Sequence, residues 1–239
     1  MGQSTVNVIC YADDAVLVAE SEDDLQRLLH QFNICAKPYN MEISATKTKS
    51  MVIAKNPIRC KLELEGKIIE QVMNFTYLGV KITSDGNLQD EVDTQLMKAY
   101  RVAGCLRDFV WNNNHMSLES KIKIYRTCVR PIMTYGIEAR ADTKSTKRKL
   151  RTLEMRILRR SAGFSLYDRQ RNDHIRELCK VEDVVKWSKH RRREWNAHVD
   201  RMEDNRLAKI CRDNKPLGTR PVGRPRMRWA ESWFSSSND

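Results

Sequence analysis

Val6-Asn7-Val8-Ile9-Cys10-Tyr11-Ala12-Asp13-Asp14-Ala15-Val16-Leu17-Val18-Ala19 consists of two short apolar runs that meet at a pair of adjacent carboxylates. Both runs are rich in β-branched residues and too short to span a membrane. The pattern predicts a β-hairpin whose turn presents Asp13 and Asp14. Burying two neighbouring carboxylates in an apolar hairpin is costly unless something neutralises them, and a divalent cation is the usual neutraliser. Ligation by oxygen alone favours Mg²⁺ or Mn²⁺ over zinc. A solvated Asp-Asp turn is the plainer alternative for so short a pattern standing alone.

The 239 residues suffice for one large or two small domains, and an apolar share of 41% is enough to build a core. Beneath a net charge of +12, residues 1–143 carry 17 Lys/Arg against 18 Asp/Glu, and residues 144–239 carry 26 against 13. A near-neutral body with a basic C-terminal region points to a polyanionic partner, nucleic acid before membrane, because no lipidation motif accompanies the charge. Seven cysteines, at 10, 35, 60, 105, 128, 179 and 211, form no C-x-x-C pair and have no matching histidine spacing, which argues against zinc. Their odd number and the lack of a signal-peptide pattern fit a reducing intracellular setting, nuclear or cytoplasmic rather than secreted, and no stretch reaches transmembrane length.

Beyond the hairpin, Ser21 with Glu22, Asp23 and Asp24 reads as an N-cap and acidic first turn. Leu25, Leu28, Leu29, Phe32 and Cys35 continue at helical spacing to about Lys37, where Pro38 and Asn40 close the helix. Residues 41–43 and 50–54 are strand candidates around a basic loop, Thr46-Lys47-Thr48-Lys49, whose plain reading is a solvated turn. Residues 62–64 and 67–69 flank Glu65-Gly66 as a second hairpin. Phe75-Thr76-Tyr77-Leu78-Gly79-Val80-Lys81-Ile82 alternates as a half-buried strand would, up to a turn at 84–87. From Leu88 a long helix is predicted to end near residues 112–114, and Ser117 caps another that is disturbed at Arg130-Pro131.

A polar stretch at 141–149 marks a boundary. After it, Leu150, Leu153, Ile157 and Leu158 form an apolar stripe on a helix studded with Arg148, Arg151, Arg156, Arg159 and Arg160, which Gly163 ends. A helix over about 182–203 carries Trp187 and Trp195 beside Lys189 and Arg191-Arg192-Arg193. These arginines suit either a solvated basic face or a nucleic-acid groove, and each tryptophan taken singly suits a core. His190 and His198 lack further ligands. The tail, dense in Pro, Gly and Arg, is expected to be extended or disordered. Its Arg220, Arg224, Arg226 and Arg228 are placed for phosphate contacts.

Tyr11-Ala12-Asp13-Asp14 between apolar strands resembles the metal-binding hairpin in the palm of reverse transcriptases, and later segments extend the resemblance to the polymerase of non-LTR (LINE-type) retrotransposons. Ser44-Ala45-Thr46-Lys47-Thr48 is similar to that family's N-x-x-K-T segment, with serine for asparagine. Phe75 to Gly79 matches its F-x-Y-L-G primer grip, Arg130 to Glu138 the end of its thumb, and Arg220 to Trp229 a pattern near the C-terminal end of its polyproteins. The resemblance implies an α+β fold: a partial palm of antiparallel hairpins plus a helix at 1–87, a helical thumb at 88–140, a basic helical domain at 141–212 and the tail at 213–239.

It further implies template-directed DNA synthesis with two Mg²⁺ (or Mn²⁺) ions, held by Asp13 with Asp14 contributing and by an aspartate on an earlier strand. Lys47 would sit near the leaving pyrophosphate, and Phe75, Tyr77, Leu78 and Gly79 would hold the primer end. The implied partners are an RNA template, a DNA primer or target, and deoxynucleoside triphosphates. The earlier aspartate strand and the fingers are not in this sequence, so the expectation is a polymerase fragment that does not polymerise alone. A first hairpin with an unpaired edge and an uncovered apolar face is expected to self-associate. The alternative is a non-catalytic RNA- or DNA-binding protein that works through residues 144–229.

Overall fold

Strands β1 (Val8–Tyr11) and β2 (Asp14–Leu17) pair antiparallel from Val8↔Leu17 to Tyr11↔Asp14, which leaves Ala12 and Asp13 as the two-residue turn. The computed structural model describes residues 6–54, 56–214 and 222–223, in two compact units that divide between Asn87 and Leu88. Most of the tail, with Arg220, Arg224, Arg226 and Arg228, lies outside the described residues.

In the first unit, Ser21 caps helix α1 (Glu22–Ala36) by accepting the Asp24 N–H at 3.1 Å, and Lys37–Tyr39 tighten into a 3-10 turn that ends at left-handed Asn40. Four short pairings follow the helix: β3 (Lys49–Ser50) runs parallel to β6 (Glu70–Gln71), β4 (Glu63–Leu64) antiparallel to β5 (Lys67–Ile68), and β7 (Asn74–Tyr77) antiparallel to β8 (Val80–Thr83). Residues 41–43 form no strand, and only Ser50 of the 50–54 candidate does. The single strand expected over 75–82 is instead a hairpin. Leu78 and Gly79 both take positive φ, 47° and 81°, the pattern of a type I′ turn, and a leucine there gives no turn signal in the sequence.

The core of this unit is small: Leu29 on α1 meets Cys60, Leu62, Leu64 and Ile69, with Leu17 of β2 packed at its side. Polar groups fix the helix against the chain. The Gln26 amide donates to Glu63 O and accepts from Glu63 N, both at 2.8 Å, while Glu22 accepts the Lys61 N–H at 2.9 Å. The i, i+4 spacing of Glu22 and Gln26 puts both on one side of α1.

Helices make the second unit. Helix α2 (Leu88–Cys105) passes into a π-helical stretch at Arg107–Trp111, where the Trp111 indole donates to Ala103 O at 2.7 Å and takes the carbonyl that Arg107 would use in an unbroken helix. Helix α3 (Leu118–Ile124), capped by Ser117, widens likewise at Tyr125–Val129 before α4 (Arg130–Met133). Pro131 is the cause, because it has no N–H for Thr127 O and its ring crowds that turn.

Helix α5 (Lys144–Ser161) is central. Its Leu150, Leu153, Met155, Ile157 and Leu158 join one core with Ala99, Tyr125, Ile137, Ile175 and Val184, so core residues from both sides of position 141 share one cluster. Gly163 ends the helix in a Schellman turn, with Phe164 N bonded to Arg159 O at 2.8 Å. Helix α7 (Val184–Asp200) starts at Asp183. Helices α6 (Asn172–Cys179) and α8 (Leu207–Asp213) are short and were not expected from spacing. No described helix is long and apolar enough to cross a membrane.

Candidate functional site

The Tyr11↔Asp14 pair closes a turn in which Ala12 takes φ 49°, so Asp13 sits at the tip and Asp14 opens β2. Both carboxylates are exposed, as are Val8, Ile9 and Tyr11 on β1. The expectation of carboxylates buried among apolar side chains is therefore corrected: the described strands of this hairpin pair only with each other, and water solvates both groups. Among the described residues neither the Asp13 nor the Asp14 carboxylate has a hydrogen bond or ion pair. Their oxygens fit a hard divalent cation in kind, but no described group of three or more His, Cys, Asp or Glu surrounds a common point.

Lys47 lies in an exposed turn of the same unit. The Ser44 hydroxyl, standing where the resembling family has asparagine, accepts the Lys47 N–H at 3.4 Å, and Ser44 O accepts Thr48 N at 2.9 Å. Serine thus holds this turn, and the Lys47 ammonium projects from it with no bonding partner among the described residues. On the β7–β8 hairpin Phe75, Leu78 and Gly79 are exposed, while the Tyr77 hydroxyl is buried without a hydrogen-bond partner.

The basic residues of the second unit divide by what already engages them. Arg192 is buried, and its guanidinium donates to Ile137 O and Arg140 O at 2.7 Å each and pairs with Asp142. It serves the core and leaves the set offered to nucleic acid, a correction that its place in a triple-arginine run conceals. Arg159 is likewise engaged, with Gln170 O at 2.9 Å and Asn172 Oδ1 at 2.7 Å. Arg156 lies over the Tyr100 ring, and Arg191 pairs with Glu138 and Glu194. Arg148 and Arg193 are exposed, Arg160 half-buried, and none of their guanidinium groups has a partner among the described residues. Nothing in the sequence hints at the cluster of buried Tyr125, Glu154 and Asp183 with half-buried Arg176, since Glu154 reads there as one more charge on a basic helix.

Residues 2–82 match the reverse transcriptase (RNA-dependent DNA polymerase) family. Among curated relatives, a transposon-derived protein of Caenorhabditis elegans is 27% identical over 93% of this chain and 82% of its own length. RNA-directed DNA polymerases from mobile element jockey are 26% identical in Drosophila melanogaster and 29% in Drosophila funebris, over 71% and 75% of this chain. The likeness to reverse transcriptases thus covers residues 2–82, and the similarity to the jockey polymerases extends over most of the chain. The chain spans about a fifth of the length of those jockey polymerases, 19% and 22%. The reverse-transcriptase match runs from the Asp13-Asp14 hairpin into β8, so Lys47 and residues 75–79 fall inside it and the helical unit lies beyond it. Reverse transcriptases use divalent metal ions as a family, and these residues supply oxygen donors of the right kind. No solved structure matches the chain.

Proposed function

We propose that the first unit is the metal-bearing palm segment of an RNA-directed DNA polymerase, with Asp13 and Asp14 as Mg²⁺ ligands, and that the second unit grips nucleic acid. The observation that carries this reading is the pair of unengaged carboxylates at the tip of a hairpin inside the matched segment. In it, residues 1–87 correspond to the palm with its primer grip, 88–140 to the thumb and 141–212 to a basic helical region. Bound divalent ions supply charge neutralisation for in-line nucleotidyl transfer. Phe75, Tyr77, Leu78 and Gly79 support a primer 3′ end, and Lys47 places a mobile positive charge where a pyrophosphate departs. RNA template, DNA primer and deoxynucleoside triphosphates are the partners.

Two carboxylates are too few to hold two catalytic ions, so the chain alone binds Mg²⁺ weakly and does not extend primers. Primer extension on an RNA template, with Mg²⁺ or Mn²⁺, compares the wild type with Asp13→Ala. Equal background is expected, and incorporation that disappears with Asp13→Ala would overturn the incomplete-site reading.

A non-catalytic nucleic-acid binder working through residues 144–229 is favoured by the unengaged Arg148, Arg160 and Arg193. Its mark is RNA or DNA affinity that falls steeply with salt and does not depend on Asp13. The exposed apolar residues of the first hairpin also support self-association through its free edges.

A further inference from the structure

The segment between α5 and α6 carries the most exposed aromatic side chain of the described residues. Tyr167 is 95% exposed and Leu166 beside it 79%. An apolar pair so fully in water adds nothing to the core, and the surrounding bonds hold the loop backbone that carries it. At the base, Phe164 packs against the core, and Arg159 clamps Gln170 O and Asn172 Oδ1. At the tip, one Asp168 oxygen accepts both the N–H and the hydroxyl of Ser165, at 2.6 and 2.8 Å, and Arg169 N closes on Leu166 O at 3.2 Å with Arg169 at φ 49°. Those two bonds from Ser165 also hold the Asp168 carboxyl below the usual carboxylate range.

Charge identifies the partner. Arg169 and Arg171 follow Tyr167, both exposed, and among the described residues neither their guanidinium groups nor that of Arg160 at the end of α5 has a partner. Of the nearby acids, Asp168 is spent on its own turn and Asp173 leans toward Arg176 at 3.8 Å. An exposed aromatic ring on a held loop, followed by two arginines, suits a chain of alternating flat rings and phosphates. A duplex hides its rings, whereas a single strand offers them.

We propose that the 164–171 loop is a single-strand nucleic-acid contact in which Tyr167 stacks on a base and Arg169 and Arg171 take the adjoining phosphates. This deepens the nucleic-acid reading of the second unit and rests on it. No member of the loop belongs to the carboxylate hairpin, so its role is independent of metal.

The test is fluorescence anisotropy of the full chain with a labelled single-stranded RNA, and with the same sequence as a duplex, across a salt series. Tyr167→Ala is expected to weaken single-strand binding about 5- to 160-fold, the range for loss of one stacked ring. Tyr167→Phe should bind as the wild type does, and duplex binding should change little. Arg169→Gln with Arg171→Gln should reduce the slope of log affinity against log salt by about 1.4, that of two single-strand phosphate contacts. An unchanged thermal transition for Tyr167→Ala verifies that the fold is intact. Wild-type binding that Tyr167→Ala leaves untouched would overturn the proposal and assign the tip to another class of partner. A wild type without affinity for any RNA would overturn the nucleic-acid reading as well.

Discussion

Tyr125 donates a 2.9 Å hydrogen bond to Glu154, and neither side chain reaches solvent. The second Glu154 oxygen accepts the Val184 N–H at 3.1 Å and faces Arg176 at 3.3 Å, and Arg176 passes on to Asp183 at 2.8 Å. One carboxylate thus joins the π-turn after α3, the middle of α5, α6 and the first residue of α7. Burial pushes the Glu154 carboxyl above its ordinary range, ahead of the opposing hydrogen bonds from Val184 and Tyr125 and the charge of Arg176.

Removing this hub strands its partners in the core. Glu154→Ala is expected to destabilise the second unit by about 3–5 kcal/mol, because it leaves Arg176 short of a partner and Tyr125 without an acceptor. Tyr125→Phe, which removes only a donor, should cost about 1–2 kcal/mol. Urea titration followed by circular dichroism measures both.

Asp183 gives the acid side of the pH profile. Burial pushes its carboxyl up, but the Arg151 hydrogen bond and the charges of Arg176 and Arg151 outweigh burial and hold it below the usual range. Its contribution is therefore present above the unfolded value, about 3.9, and is lost as pH falls through the lower folded value. Glu154 runs the opposite way, with a contribution complete below about 4.3 that is lost as pH rises through its raised folded value. Thermal melting across pH should show an acid limb that Asp183→Asn flattens, with lower stability at neutral pH because the charge pairs with Arg151 and Arg176 are lost while the α7 cap is kept.

Neighbouring arginines should behave in opposite ways. Arg192→Ala breaks a buried pair with Asp142 and two carbonyl bonds and is expected to cost about 3–5 kcal/mol. Arg193→Ala should leave the melt unchanged and lower RNA affinity together with its salt dependence. Parallel melting and anisotropy measurements separate the two.

What could be read from the sequence follows from how each residue declares itself. Ser21, Ser117 and Gly163 bound their helices as expected, since caps are local chemistry. The carboxylate hairpin and the Glu65-Gly66 turn are local too. Leu78 hid its turn because leucine avoids positive φ and alternation continues across it. Arg192 and Glu154 were opaque for another reason: their roles depend on partners about 20 to 55 positions away, and no periodicity encodes those.

Leu78 holds a backbone conformation that disfavours its own side chain. Leu78→Gly should relieve part of a left-handed penalty of about 1–2 kcal/mol, offset by the entropy glycine loses on folding. A net gain of about 0.5 kcal/mol is expected in denaturant melts. If residues 75–79 support a primer, the same change lowers affinity for a primer-template, since it removes an exposed apolar contact.

The uncovered first hairpin should make the chain associate as its concentration rises. Ile9→Lys places a charge on β1 and is expected to move sedimentation-velocity profiles toward monomer without altering the second unit's thermal transition.

The Gln26 side chain grips both polar groups of one peptide residue, Glu63, and so counts residues as well as binding them. A deletion or insertion between Asn40 and Arg59 leaves that grip in place but shifts the Lys47 turn or the pairing of β3 with β6. One extra residue between Lys61 and Glu63 would bring a neighbour to that grip with its side chain on the opposite side of the strand. Length variation among relatives of this chain should therefore avoid the interval between Lys61 and Glu63.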